Sequence, residues 1–291
     1  MAALAFRGIS MARFLSVFSL VIVVAICQGA RPASAVYLCN PDNGAPLDVA
    51  LTACNKEIAA GRSLTVAHYD RGLIWAKKNE VDKAISDYNE ALRISPNYQN
   101  AYISRGNALK LKGLIESAIA DYDRAIKIDP SKAGLAFYNR GNAWRDSGQD
   151  EKAVADYDKA IGLMPRYVNA YVGRGNIRKN KGEFDAAIAD FNAAIDIDPA
   201  GAALAYYNRG VTWRKKSEPE KALADYDQYI KMAPSDPDGY VARGNIHSDR
   251  KDYAAAIADY DRAIERDRTN ALALQNRANA VTKQKEAAGT K

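Results

Sequence analysis

The sequence predicts an all-α solenoid of stacked helix-turn-helix repeats, and three observations carry that prediction. A stretch of 34 or 35 residues recurs six times, marked by Gly72, Gly106, Gly141, Gly175, Gly210 and Gly244; self-similarity at such a period signals a repeat architecture. Each repeat holds two apolar-periodic stretches of roughly a dozen residues joined by a short polar turn, as in 136–146, 147–149 and 151–163, the pattern of a helical hairpin. Proline closes five of the six repeats, at Pro96, Pro130, Pro165, Pro199 and Pro234, and stops the second helix before the next hairpin begins. One hairpin cannot bury its apolar face alone, so neighbouring repeats supply the core by stacking.

The first element is an export segment. Arg7 and Arg13 precede an apolar run at 14–27, and Ala33-Ser34-Ala35 follows; basic, apolar, then small is the order of a secretory signal peptide, and the apolar part is short for a membrane span. Residues 1–35 are expected to be cleaved, leaving Val36 first, whether the chain starts at Met1 or Met11. The product is expected in the periplasm or secreted, touching membrane only through an uncleaved signal. Cleavage removes Cys27 and leaves Cys39 and Cys54, an even pair that favours a disulfide in an oxidising compartment. Ala50, Cys54 and Ile58 fall in register with Ala84, Tyr88 and Leu92 one repeat later. Residues 36–64 therefore read as a cysteine-stapled cap with one helix, at 48–60, whose first-helix partner is missing.

The six repeats span 65–98, 99–132, 133–167, 168–201, 202–236 and 237–270. Twelve residues after each glycine stands an alanine, as at Ala84 and Ala153, and four later an aromatic, as at Tyr88, Tyr157 and Phe191. Nineteen after the glycine is alanine again, with Tyr229 the exception. Small residues at Gly141, Ala153 and Ala160 let two helices approach while Phe137 and Tyr157 fill the space beside them. A second period of 69 residues links Trp75, Trp144 and Trp213, and likewise Tyr69, Tyr138 and Tyr207, as duplication of a two-repeat block would leave. The extra residue of the longer step falls in the turns after Pro130 and Pro199. Residues 271–283 read as a capping first helix with Gln275, Asn276 and Asn279 on its polar outer face, and 284–291 as a flexible tail.

The order aromatic, Gly, Ala, aromatic, Ala, Pro at these offsets resembles the tetratricopeptide repeat (TPR), over 65–270. Two stretches are further similar to exported bacterial members: Tyr206-Tyr207-Asn208-Arg209-Gly210, repeated from Phe137-Tyr138-Asn139-Arg140-Gly141, and Val154-Ala155-Asp156-Tyr157-Asp158-Lys159-Ala160. The resemblance implies a right-handed superhelical solenoid whose first helices line a concave groove for extended peptide.

Chemistry other than binding finds little support in the residues. Three cysteines and two histidines are too few and too scattered for a metal centre. His68 and His247 lie in unrelated repeats and are expected as packing residues, and no phosphate loop or nucleophile elbow appears. No cofactor, metal or catalytic activity is expected. The acids of Asp121-Tyr122-Asp123, Asp156-Tyr157-Asp158 and Asp259-Tyr260-Asp261 point apart on a helix and read as solvated faces. An arginine precedes every anchor position, from Arg71 to Arg277, and an aspartate follows sixteen residues later, from Asp87 to Asp259. These columns are expected to pair across packed helices, fixing register. Without the first 35 residues the protein has 38 basic against 35 acidic side chains, a balance too mild to imply nucleic acid.

Binding residues are expected on one first-helix stripe, at offsets minus three, plus one and plus four from the glycine. It holds Asn107 and Lys110 in the second repeat, Tyr138, Asn142 and Arg145 in the third, Asn176 and Lys179 in the fourth, and Tyr207 and Arg214 in the fifth, with Asn139 and Asn208 beside it. Amides grip peptide backbone, tyrosine covers apolar side chains, and the cations favour an acidic or C-terminal segment. The family's chaperone-binding members use a lysine and asparagine clamp. Here Asn107, Asn142 and Asn176 match the asparagines, but Tyr138 and Val172 replace the first lysine, which speaks against docking to a cytosolic chaperone. The expected function is therefore an exported module that binds another protein or peptide. The alternative is a scaffold that self-associates or docks on an envelope complex; the residues leave oligomeric state open between them.

Overall fold

The computed structural model describes residues 38–289; the expected signal segment and its expected cleavage point lie outside the described residues. Among the described residues there are fourteen α-helices, one 3-10 turn at Pro130–Lys132 and no strand, and no helix long and apolar enough to cross a membrane. The protein divides into two compact units, one ending at Gly113 and one beginning at Leu114.

The N-terminal unit contains α1 (Leu47–Ala59), α2 (Leu64–Lys77), α3 (Val81–Ile94) and α4 (Gln99–Leu111). Helix α1 packs on α2, and the helical end Leu38–Cys39 stands before it. Cys39 and Cys54 are paired, with Cα atoms 4.8 Å apart, in a core shared with Ala50, Ala53, Ala67 and Ile74. The C-terminal unit contains α5 (Ile115–Ile128), α6 (Gly134–Asp146), α7 (Asp150–Leu163), α8 (Val168–Asn180), α9 (Phe184–Ile197), α10 (Ala203–Lys215), α11 (Pro219–Met232), α12 (Pro237–Asp249), α13 (Tyr253–Arg266) and α14 (Ala271–Gly289). In each unit consecutive helices pack as hairpins, and second helices pack on the next first helix.

The glycine and the aromatic sixteen residues later form one packing device. A Cβ on Gly72 would lie 2.5 Å from Cε1 of Tyr88, and one on Gly210 or Gly244 2.8 Å from Cε1 of Tyr226 or Tyr260. Those rings are fully buried, so they cannot swing aside. Gly72→Ala should therefore lose about 1–2 kcal/mol, overpacking outweighing the better helix propensity of alanine. Gly162, on α7 with open space around it, should gain about 0.5–1 kcal/mol from the same change. Denaturant unfolding of the two variants checks both signs.

The 69-residue period has a packing counterpart. Lys83, Lys152 and Lys221 stand 4.7, 4.3 and 4.5 Å above the rings of Trp75, Trp144 and Trp213. The extra residue is taken up where Asp129 accepts from the backbone N–H of Ser131 and Lys132, and where Asp198 accepts from Gly201 at 3.0 Å. Tyr229 also finds its reason. Tyr69 and Tyr138 each meet a turn tyrosine at 4.9 Å, Tyr98 and Tyr167, whereas Tyr207 meets Tyr229 at 5.0 Å because Asp236 occupies the turn position. Tyr229 donates to Asp236 at 2.6 Å, and Gly239 makes room, since a Cβ there would lie 2.7 Å from the ring.

One boundary differs from the expected one. Helix α14 runs to Gly289, beyond residue 283, because Lys283 to Ala288 are strong helix formers and no glycine or proline intervenes.

Candidate functional site

The first helices are held in register by the arginine column. In the C-terminal unit Arg140 grips Asp156 through Nε and Nη2 at 2.8 and 2.7 Å, and Arg209 and Arg243 grip Asp225 and Asp259 in the same fork. Arg71 does so with Asp87 in the N-terminal unit, at 2.7 Å on both arms. The third nitrogen reaches back to the preceding second helix: Arg140 to Asp123, Arg174 to Asp158 at 2.5 Å, and Arg243 to Asp227 at 2.6 Å. The reading of the Asp-Tyr-Asp acids as merely solvated is thus corrected. Asp123, Asp158 and Asp261 are exposed or half-exposed, yet each takes the arginine of the following helix, Asp261 that of Arg277. His68 is corrected too, since it shares Asp87 with Arg71, its Nδ1 lying 2.9 Å from the carboxylate.

With the helices so fixed, the stripe residues fall into distinct settings. In the N-terminal unit Asn107 is exposed and Lys110 half-buried on α4. In the C-terminal unit Tyr138 packs tilted on Tyr157 at 5.9 Å, and Asn139 is half-buried beside it. Asn142 uses its carbonyl oxygen to accept from the Tyr157 hydroxyl at 2.7 Å, so it satisfies a buried phenol before it can grip any backbone. Arg145 is exposed and donates to Asp146 at 2.8 Å. Asn176, Lys179 and Asn208 come together: the Lys179 ammonium donates to the two amide oxygens at 3.1 and 2.7 Å. No carboxylate neutralises it among the described residues, and burial, with the nearby charge of Lys215, lowers its pKa.

Tyr207 and Arg214 line a cleft of about 470 Å³, together with Val211, Lys215, Tyr226, Asp238, Val241, Ala242, Asn245 and Leu272. Arg214 there faces Asp249 at 2.8 Å in an exposed, exchangeable pair. Val241 and Asn245 were not among the predicted residues, although the minus three and plus one offsets counted from Gly244 reach both. Asn245 accepts from Tyr260 at 2.8 Å, as Asn142 does from Tyr157, and also from Asn276 of α14 at 2.9 Å. Asp238 and Leu272 carry no offset signal, because they enter from the first turn of α12 and from the start of α14. Among the described residues no group of three potential metal ligands occurs.

The arrangement offers a cation on amide carbonyls between α8 and α10 and, along α10 and α12, an open cleft with apolar walls. Solved structures similar to this protein include YrrB, a TPR protein with an unusual peptide-binding site, at 27% identity over 63% of this chain and 94% of that one, TM-score 0.51. MamA is 25% identical over 57% of this chain and 96% of its own, TM-score 0.53. A tetratricopeptide repeat protein from Parabacteroides merdae covers 92% of this chain and 99% of its own at 18% identity, TM-score 0.60, a likeness of fold alone. No curated protein gives a significant match. The family described as TPR repeat matches 72–113 and 141–182, and two families described as tetratricopeptide repeat match 172–237 and 100–132 with 237–270. With the repeating hairpins, the buried glycine–aromatic pairs and family matches over well more than half of its length, the chain belongs to the tetratricopeptide repeat family.

Proposed function

We propose that this is an exported binding module, not an enzyme, which holds an extended polypeptide segment on the first-helix face of its C-terminal unit and favours acidic side chains or a free C-terminus. The observation that carries the reading is the cleft along α10 and α12, with Lys179 one first helix away on α8. Arg214 and Lys215 stand at the cleft, Val211, Val241 and Leu272 give it apolar walls, and Tyr207 and Asn245 supply polar edges. Lys179 meets only neutral amide oxygens, so an incoming carboxylate gains a charge-assisted hydrogen bond without displacing an existing ion pair. The peptide-binding site of YrrB supports the same use of the fold. Export and oxidation of Cys39 with Cys54 belong to this proposal.

Charge reversal tests it. Lys179→Glu with Lys215→Glu should weaken binding of a fluorescein-labelled peptide ending in several aspartates and glutamates by about 10-fold or more, and raising salt should weaken the wild type in the same sense. Fluorescence anisotropy reads both. Unchanged affinity in the double variant removes the cleft as the binding site; a mass that grows with concentration while no peptide binds makes the protein a self-associating scaffold instead.

A further inference from the structure

The cleft of the C-terminal unit carries opposite charges at its two ends. Tyr207, Val211 and Lys215 mark its α10 side, and Asp238, Val241 and Asn245 its α12 side. The Arg214–Asp249 pair ties the last turns of the two helices together, so they run the same way and in register. Asp238 is the second residue of α12 and Lys215 the last of α10, which puts an acid at one end of the groove and a cation at the other. Neither charge is neutralised among the described residues. Only the backbone N–H of Asp238 is engaged, donating to Asp236, and no hydrogen bond or ion pair holds the Lys215 ammonium. Asp236 is occupied, since it also accepts from Tyr229 at 2.6 Å. Burial and then Asp236 raise the Asp238 pKa, and both acids add to the effect of burial on the Tyr207 phenol, as a negative end without a cation should.

The duplicated blocks supply an internal comparison. Sixty-nine residues earlier, along α6 and α8, Asn169 stands for Asp238 and Asp146 for Lys215, while Tyr138, Arg145 and Asn176 stand for Tyr207, Arg214 and Asn245. The frame is kept and the charges differ. In the first block the position of Asp238 is again asparagine, Asn100. A first-turn acid suits the helix dipole, yet α4 and α8 do without one. The fold therefore does not require the carboxylate of Asp238.

We infer that the groove between α10 and α12 reads a pair of opposite charges on one extended segment of another polypeptide: an arginine or lysine side chain at Asp238, then an acidic side chain or free carboxylate at Lys215. The inference rests on the reading of this cleft as a peptide site and adds to it the basic residue and the spacing. Lys215 is level with Asp249, and from Asp238 to Asp249 the helix rises about 16 Å, a length that about five residues of extended peptide span. A guanidinium or ammonium at Asp238 gains a charge-assisted hydrogen bond without breaking an ion pair. Leu272, 55% exposed at the start of α14 and lining the same cleft, offers a surface to the aliphatic stem of that side chain.

The probes are fluorescein-Gly-Gly-Arg-Ser-Leu-Ser-Ser-Asp with a free C-terminus, the same peptide with citrulline for arginine, and an isomer with the arginine moved next to the aspartate. Each is titrated into the full-length protein and followed by anisotropy. The first probe is expected to bind about 10-fold more tightly than either control. Asp238→Asn should lower its affinity to that of the citrulline probe and leave the citrulline probe as it was. Asp238→Lys should reverse the preference, toward a probe with glutamate in place of arginine. Equal binding of the three probes, or a preference for arginine that survives Asp238→Asn, overturns the inference while the cleft remains a peptide site. An equal loss for the arginine and citrulline probes in Asp238→Asn also overturns it, because a merely structural role for Asp238 gives that result. Failure of every probe to bind overturns both the inference and the reading it rests on.

Discussion

Asp156→Ala is expected to destabilise the C-terminal unit by about 3 kcal/mol, and Asp123→Ala by less than about 1 kcal/mol, although both aspartates bind the same arginine. The Asp156 side chain is only 7% exposed and takes two arms of the Arg140 fork, whereas that of Asp123 is 53% exposed and takes one. Removing Asp156 leaves the guanidinium against a buried helix surface with two donors unpaired; removing Asp123 returns one donor to water. Alanine is the better helix former, so propensity acts against the predicted loss in both variants and cannot produce it. Hydrogen exchange of the α6 and α7 amides, with denaturant unfolding of the whole protein, measures the two variants side by side. Equal small losses would mean that the ladder is a set of independent solvated charges.

That ladder shows how far residue spacing reaches. The sixteen-residue offset between the arginine and aspartate columns equals the offset from the anchor glycine to its aromatic, so the same hairpin closure brings both pairs together, and both were legible. The second reach of each arginine, to Asp123 or Asp158 behind it, was not. It depends on how one hairpin leans on the previous one, and the receiving residue alternates among Asp123, Asp158, Asn192 and Asp227. The eye that looks for one residue type in a column does not find it.

The candidate site was legible to the same depth. Offsets selected a true first-helix stripe, and Tyr207 and Arg214 do line the cleft. Spacing says which face a residue occupies but not what its polar atoms already hold. Asn142 and Asn176 look equivalent in sequence, yet Asn142 satisfies Tyr157 while Asn176 meets Lys179, because the fourth repeat has Phe191 in place of a tyrosine and leaves no hydroxyl to satisfy. Alanine at 142 would therefore orphan a buried phenol, which makes Asn142 a poor probe of binding and Lys179 a better one. Lys215 escaped for a related reason: it lies one position past the stripe, and only the packing of α12 beside α10 turns it toward the cleft.

The second large effect is expected at the other end of the protein. Reducing the Cys39–Cys54 pair should lower the stability of the N-terminal unit by about 3 kcal/mol, roughly a 100-fold change in opening. The two cysteines are 15 residues apart, and the bond closes a loop that otherwise gains its full entropy on unfolding. The cap is where that matters most. Helix α1 packs around the two cysteines with Ala50, Ala53, Ala67 and Ile74, edged by the partly buried Leu38, Leu47, Leu51 and Ile58; three of the buried members are alanines, which bury little apolar surface, so the link carries a large share of the order of the cap. Exchange of the α1 amides should accelerate on reduction, while amides of α13, in the C-terminal unit, stay as they were. Intact mass of the protein recovered from its native cells reads the oxidation state directly: under the proposed export, a polypeptide beginning at Val36 and two protons lighter than its dithiol form is expected. A dithiol mass, or α1 protection that reduction leaves untouched, would remove the staple and leave the cap held by packing alone.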